Sequence, residues 1–152
     1  MLPALILVGD IMTEAVDISG KCLCGAVSFT AQTASKHFGV CHCGMCRKWG
    51  SGPFMEIECG TSVRFEGEEN ISVFSSSEWG ERGFCAKCGS NLFYRIKENG
   101  STGIAAGLVD DMTGFTMIAQ VCIDDKPDYY SFTEKTRELT CQEMFDLYAP
   151  KP

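Results

Sequence analysis

Seven of the ten cysteines in this 152-residue chain fall into three short clusters, and any fold must bring those clusters together. The first is Cys22-Leu-Cys24-Gly25, the second Cys41-His42-Cys43-Gly-Met-Cys46-Arg47, and the third Phe84-Cys85-Ala-Lys-Cys88-Gly89. On an extended segment, side chains two apart point the same way, so Cys22 and Cys24 can share a ligand, as can Cys41 and Cys43. A CxxC turn followed by glycine lets backbone amides point at the sulfurs and stabilise them as thiolates.

Ten cysteines can mean disulfides or metal. A disulfide framework expects a short secreted chain with a leader. Here Met1–Val8 is apolar but no Lys or Arg precedes it, the first basic residue being Lys21. The run is far below the roughly 20 residues that span a bilayer, so no membrane span is expected. Residues 1–17 read as an extension without function, with Met12 as the natural start, and residues 18–150 as one domain. The expected setting is a reducing cytoplasm, with metal rather than disulfides.

Zinc takes thiolates in a tetrahedron. Seven sulfurs cannot fill two tetrahedra, and four plus three is the natural division. The local trio Cys41, Cys43 and Cys46 forms the open site, with a position left for water or substrate. The pairs Cys22/Cys24 and Cys85/Cys88, far apart in sequence, form a closed staple. The competing reading makes both sites staples, with His42, His37 or Cys59 completing the second. Alternation aims His42 away from the thiols beside it, toward the core or a supporting role behind the ligands.

The remaining chain reads as mainly β, with 16 glycines suiting tight turns. β-like runs are expected at Ala26–Thr30, Phe54–Cys59, Ser62–Phe65, Ile71–Phe74, Asn91–Ile96, Ile104–Leu108 and Thr116–Ile123. Thr140-Cys-Gln-Glu143 is a capping-box pattern, followed by Met144, Leu147 and Tyr148 at helical spacing and closed by Pro150. One short C-terminal helix is expected. Net charge is −7 with no cluster of Lys and Arg, which argues against nucleic-acid partners.

At its cysteine motifs the chain resembles the family of glutathione-dependent formaldehyde-activating enzymes, whose domain also occurs in centromere protein V. The resemblance rests on Gly20-x-Cys22-x-Cys24-Gly25-x-Val27, Cys41-His42-Cys43-x-x-Cys46-Arg47 and Phe84-Cys85-x-x-Cys88-Gly89, and runs from about Ile18 to Pro150. It implies a β-tent fold of several small antiparallel sheets around two zinc ions. One zinc is structural on Cys22, Cys24, Cys85 and Cys88; the other is catalytic on Cys41, Cys43 and Cys46. It further implies a carbon–sulfur lyase that joins glutathione, as co-substrate, to formaldehyde in both directions.

Glutathione carries two carboxylates and wants cations nearby. Arg47, Lys48 and Arg82, next to the metal motifs, are the candidates. Ser75–Trp79 is a candidate lining of the open site, and Trp49, Phe54, Trp79 and Phe93 are either pocket wall or core. Cys59, Cys122 and Cys141 read as buried small hydrophobes. Asp124–Tyr130 reads as a turn with no assigned chemistry. Rival functions are a zinc-stapled binding or scaffolding module and, by fold analogy alone, a zinc-loaded chaperone or exchange factor.

Overall fold

The computed structural model describes residues 14–148; the expectations for Met1–Val8, for Met12 and for Pro150 lie outside these residues. In chain order its strands begin with β1 (Val16–Lys21), β2 (Ser28–Thr33), β3 (His37–Cys41), β4 (Phe54–Glu58), β5 (Arg64–Glu66) and β6 (Ile71–Ser75). They continue with β7 (Gly80–Cys85), β8 (Asn91–Ile96), β9 (Thr102–Ala105), β10 (Thr116–Val121) and β11 (Arg137–Leu139). Two helices complete the set, α1 (Gly44–Gly50) and α2 (Cys141–Tyr148).

The mainly β architecture and the short C-terminal helix agree with the sequence reading. β8 coincides with its expected run, and β4 and β6 differ by one residue at the end. A three-stranded antiparallel sheet has the order β1-β2-β5. The second sheet is larger and more mixed than several small antiparallel ones: eight strands in the order β11-β10-β3-β4-β9-β8-β7-β6. β10 runs parallel to both β3 and β11. Such pairings join distant segments, which local alternation does not encode.

The two sheets face each other across one apolar core. Ile18, Val27, Phe29 and Ala31 come from the small-sheet side, and Ile57, Leu92, Phe93 and Ile104 from the large sheet. Burying each large side chain of this kind contributes about 1.5–3 kcal/mol. β2 shows the mechanism, with Phe29, Ala31 and Thr33 buried and their neighbours less so.

The far face of the large sheet follows from its register. Directly opposed residues share a face, so Cys41 lies with Phe54, Glu56 with Gly39 and Ala105, and Glu58 with Gly103. Gly103 in turn opposes Tyr94, and Tyr94 opposes Arg82. This face, turned from the main core, is where α1 packs: Trp49 reaches Phe54 at 5.1 Å between ring centroids and receives the Arg82 guanidinium at 5.0 Å.

Candidate metal centre

The four-cysteine cluster forms where the first and third motifs meet. Cys22 and Cys24 stand at the end of β1, Cys85 ends β7, and Cys88 follows in the next turn. All four Sγ atoms lie within 4.8 Å of one another, with Cys22–Cys24 at 3.7 Å and Cys24–Cys85 at 3.8 Å. A tetrahedron with 2.3 Å metal–sulfur arms has an edge of about 3.8 Å, so this donor set fits a tetrathiolate ion. Gly25 and Gly89 close the two turns at φ +79° and +76°, a region unfavourable to other residues.

Polar hydrogens support these sulfurs. The Val27 amide donates to Cys22 Sγ at 3.3 Å. Hydrogen bonds from the Ser90 side chain and backbone push Cys88 down to about 5, toward the thiolate a metal needs. The Ser90 hydroxyl also accepts from the Leu23 amide, locking the first motif to the third.

The trio is built differently. β3 delivers Cys41, and the chain then turns into α1 with Cys43 as its N-cap, accepting from the Cys46 amide at 3.4 Å. The CxxC segment is therefore a first helical turn, and its second cysteine is carried inward: Cys46 is buried. The three Sγ atoms lie within 4.8 Å of one another, the base of a tetrahedron. Hydrogen bonds from Cys41 and Cys46 draw Cys43 far down, while Cys41 is driven up by the same contacts.

Arg82 completes the trio's electrostatics. It is 5% exposed, its Nη1 donates to Cys46 Sγ at 3.5 Å, and its guanidinium lies between the rings of Trp49 and Tyr94. Burial opposes its charge, but Cys46 and Cys43 more than offset that and hold it protonated. A divalent ion held by three thiolates would carry one net negative charge, and Arg82 is the cation placed to neutralise it. The donor set and its counter-charge fit a metal with one free position.

Arg47 and Lys48 sit elsewhere on α1. Arg47 donates through Nε to the His42 carbonyl at 2.9 Å and pairs with Asp125 at 3.6 Å, while Lys48 is exposed. His42 is fully buried and turned from the sulfurs, as its place in the alternation suggested. Its Nε2 meets Gln120 Oε1 at 2.7 Å and its Nδ1 meets the Tyr130 hydroxyl at 2.8 Å. With Gln120 Oε1 an acceptor, Nε2 carries the proton and Nδ1 accepts from Tyr130. Both ring nitrogens are thereby occupied.

The Asp124–Tyr130 turn, unassigned from sequence, braces this loop. Asp125 Oδ2 accepts from the Gly44 amide at 2.8 Å, capping α1. Asp124 Oδ1 accepts from the Cys141 amide at 2.9 Å, doing the same for α2. The capping box of α2 forms as expected, Thr140 N donating to Glu143 Oε2 and Glu143 N to Thr140 Oγ1. One expectation needs correcting: Cys122 and Cys141 are not merely small buried hydrophobes but a disulfide, because the turn and the start of α2 come within 4.1 Å Cα to Cα. Cys59 is free and buried as expected.

Trp49 and Phe54 pack together on the face that carries Cys41, while Phe93 is core and Trp79 is 43% exposed against Phe145. Two residues of this face carried no sequence signal, Glu56 and Tyr94. Each sits on a strand whose neighbours read as ordinary alternation, and only the register places them on the face of Cys41.

Among the described residues no helix is long and apolar enough to cross a membrane. The family described as glutathione-dependent formaldehyde-activating enzyme matches residues 17–125. An uncharacterized lyase of Schizosaccharomyces pombe is 38% identical over 84% of this chain and 94% of its own length. A Halomonas elongata protein, provisionally named for glutathione-dependent formaldehyde activation, is 31% identical over 50% of this chain and 54% of its own. A Rhodobacter sphaeroides protein of known structure shares the fold at a TM-score of 0.53 and 21% identity, over 60% of this chain and 87% of that one. With both cysteine clusters assembled and the family description spanning most of the chain, the protein belongs to the family of glutathione-dependent formaldehyde-activating enzymes.

Proposed function

We propose that this protein is a zinc-dependent carbon–sulfur lyase, reversibly condensing glutathione or another small thiol with formaldehyde or a related aldehyde. The observation that carries the reading is the trio's incompleteness. Cys41, Cys43 and Cys46 converge with no further Cys, His, Asp or Glu ligand atom joining them among the described residues. The nearest imidazole, that of His42, is committed to Gln120 and Tyr130. An open coordination position is what separates catalytic from structural zinc sites.

Cys22, Cys24, Cys85 and Cys88 would hold the structural zinc, and Cys41, Cys43 and Cys46 the catalytic one. When bound there, the metal supplies a charge that favours the thiolate form of an entering thiol and polarises a nearby carbonyl. The chain's own residues do the rest. Arg82 fixes Cys46 and balances charge, and Trp49 and Phe54 keep the surroundings of Cys41 apolar. Lys48, and Arg47 when released from Asp125, supply positive charge at the rim for the carboxylates of a thiol such as glutathione. Seven thiolates reserved for metal suit a reducing compartment, and we place the protein in the cytoplasm, with the Cys122–Cys141 link as the exception to that setting.

The test begins with metal analysis. The purified protein is expected to hold two zinc ions, and Cys43→Ser one, with an unchanged circular dichroism spectrum. Exchange spectroscopy by NMR on glutathione with formaldehyde then compares turnover with the spontaneous rate. Equal rates for wild type and Cys43→Ser would reject the reaction.

A further inference from the structure

Glu56 is a carboxylate with no visible structural task. It lies mid-strand on β4, on the face that carries Cys41, Tyr94 and Arg82. It is partly buried, its backbone is paired in the sheet, and its carboxylate has no hydrogen bond or ion pair among the described residues. Glu58, two positions on, shows the contrast: Glu58 Oε1 accepts from the Ser101 hydroxyl at 2.6 Å and from the Gly60 amide at 3.0 Å. Glu81 is likewise spent on Arg95 and Asp125 on Arg47.

The fold makes room for this carboxyl. A Cβ on Gly103 would come within 2.3 Å of Glu56 Oε2, so the bare Cα there is what allows the side chain its position. Drawing an acid partly out of water with no partner costs free energy, and such an acid beside a metal-type cluster is free for chemistry. On the same face Arg82 Nε is buried and has no acceptor among the described residues. An unpaired acid and an unpaired cationic donor together suit a substrate oxygen.

We infer that Glu56 is a catalytic acid–base residue of this site, giving a proton to the carbonyl oxygen as the carbon–sulfur bond forms and reclaiming it as that bond breaks. In the forward direction the thiolate lone pair forms the C–S bond and the C=O π pair moves to oxygen. That oxygen takes the Glu56 proton, leaving thiohemiacetal and carboxylate. The proton the thiol lost on entry passes to solvent, from which Glu56 is reloaded, so the sum is thiol plus aldehyde and no oxidant is needed. This role rests on the lyase reading above.

The electrostatic setting suits it. Burial pushes Glu56 up to about 8, with Glu58 on the same strand reinforcing, Arg82 on β7 opposing, and Cys43 at the head of α1 adding to the rise. Tyr94 on β8, itself pushed up to about 12 by burial and by Glu56, and the Cys59 thiol just after β4 also feel its charge. An acid near neutrality is what two-way proton transfer requires.

The experiment uses zinc-loaded wild type, Glu56→Gln, Glu56→Ala and Glu58→Gln, each first shown to bind two zinc ions. Infrared difference spectra of the wild type should show a protonated carboxyl at neutral pH that Glu56→Gln lacks. Turnover in both Glu56 variants should fall at least tenfold, with loss of the alkaline limb of the wild-type pH profile. Glu58→Gln should keep its rate but move that limb to lower pH, since it removes a neighbouring negative charge. Wild-type rate and pH profile in zinc-replete Glu56→Gln and Glu56→Ala would overturn the assignment and leave the lyase reading standing. A wild type no faster than Cys43→Ser would overturn both.

Discussion

The Arg82 guanidinium donates through Nη1 to Cys46 Sγ at 3.5 Å while the Trp49 and Tyr94 rings hold it on either side, at 5.0 and 5.2 Å. The cation thus reaches the sulfur from within the protein, where water cannot replace it. Interactions to a ligand atom from behind commonly govern metal affinity by about 10–100-fold. Arg82→Met should therefore weaken metal at the trio by about that factor and leave the four-cysteine site unchanged. Arg82→Lys should recover only part, since an ammonium lacks the flat face that stacks between two rings. Competition with a chromophoric chelator measures both sites, and equal losses at the two would refute a local role.

The four-cysteine cluster makes a different demand. It joins the end of β1 to the end of β7, linking two sheets otherwise held mainly by their apolar core and a few hydrogen bonds such as Leu23 to Ser90. Metal binding energy at such a staple is folding energy. Cys85→Ser, which removes a fully buried sulfur, should abolish cooperative unfolding or yield aggregated protein, whereas Cys43→Ser keeps a cooperative transition. Urea titrations followed by circular dichroism compare the two. A well-folded Cys85→Ser would show that the sheets do not need the metal.

How much of this was legible in the sequence depends on the range of the interaction. The two sulfur groupings were readable because ligand spacing is local within each motif and sulfur has little else to do. The helix at Cys141–Tyr148 was readable because its capping box lies within four residues. β1, β3, β7 and β11 were missed: Val16–Lys21, His37–Cys41, Gly80–Cys85 and Arg137–Leu139 carry glycines or charges that break apolar alternation. Glu56, Tyr94 and the Gln120–His42–Tyr130 chain were invisible because each depends on which strands pair and in what register. Cys122 and Cys141 look unremarkable singly and acquire meaning only when the Ile123–Asp125 turn meets α2.

His42 gives the fold a titration of known sign. Its imidazole is buried, and burial lowers its pKa below the usual 6.5 despite the contact with Gln120. Below pH 6.5 the unfolded chain therefore binds a proton that the folded chain resists. Stability rises with pH across that window and is fully present above it, so acidification through 6.5 destabilises. His42→Gln should flatten this limb while lowering stability at pH 7.5 through the lost Tyr130 contact. Thiolate protonation acts on both proteins alike, so the difference between their urea midpoints from pH 7.5 to 5.5 isolates His42. A constant difference would mean the imidazole titrates normally.

The Cys122–Cys141 link closes a 19-residue separation and ties α2 to the turn whose Asp125 caps α1. A loop of this size, closed in the unfolded chain, contributes about 3 kcal/mol by the entropic account. For a protein of this length that corresponds to a Tm change of about 6–12 °C. A phosphine reductant, with zinc in the buffer, should lower the wild-type Tm by that amount, and Cys122→Ala/Cys141→Ala should start low and respond no further. The helix should also report optically: Phe145 on α2 meets Trp79 edge-on at 5.5 Å, so loosening α2 exposes the indole and shifts its emission to the red. Trp49, held between Phe54 and Arg82, is unaffected by α2 and serves as the internal reference. A wild type indifferent to the reductant would mean that the thiols stay free and that Asp124, through the Cys141 amide, holds the helix start without help.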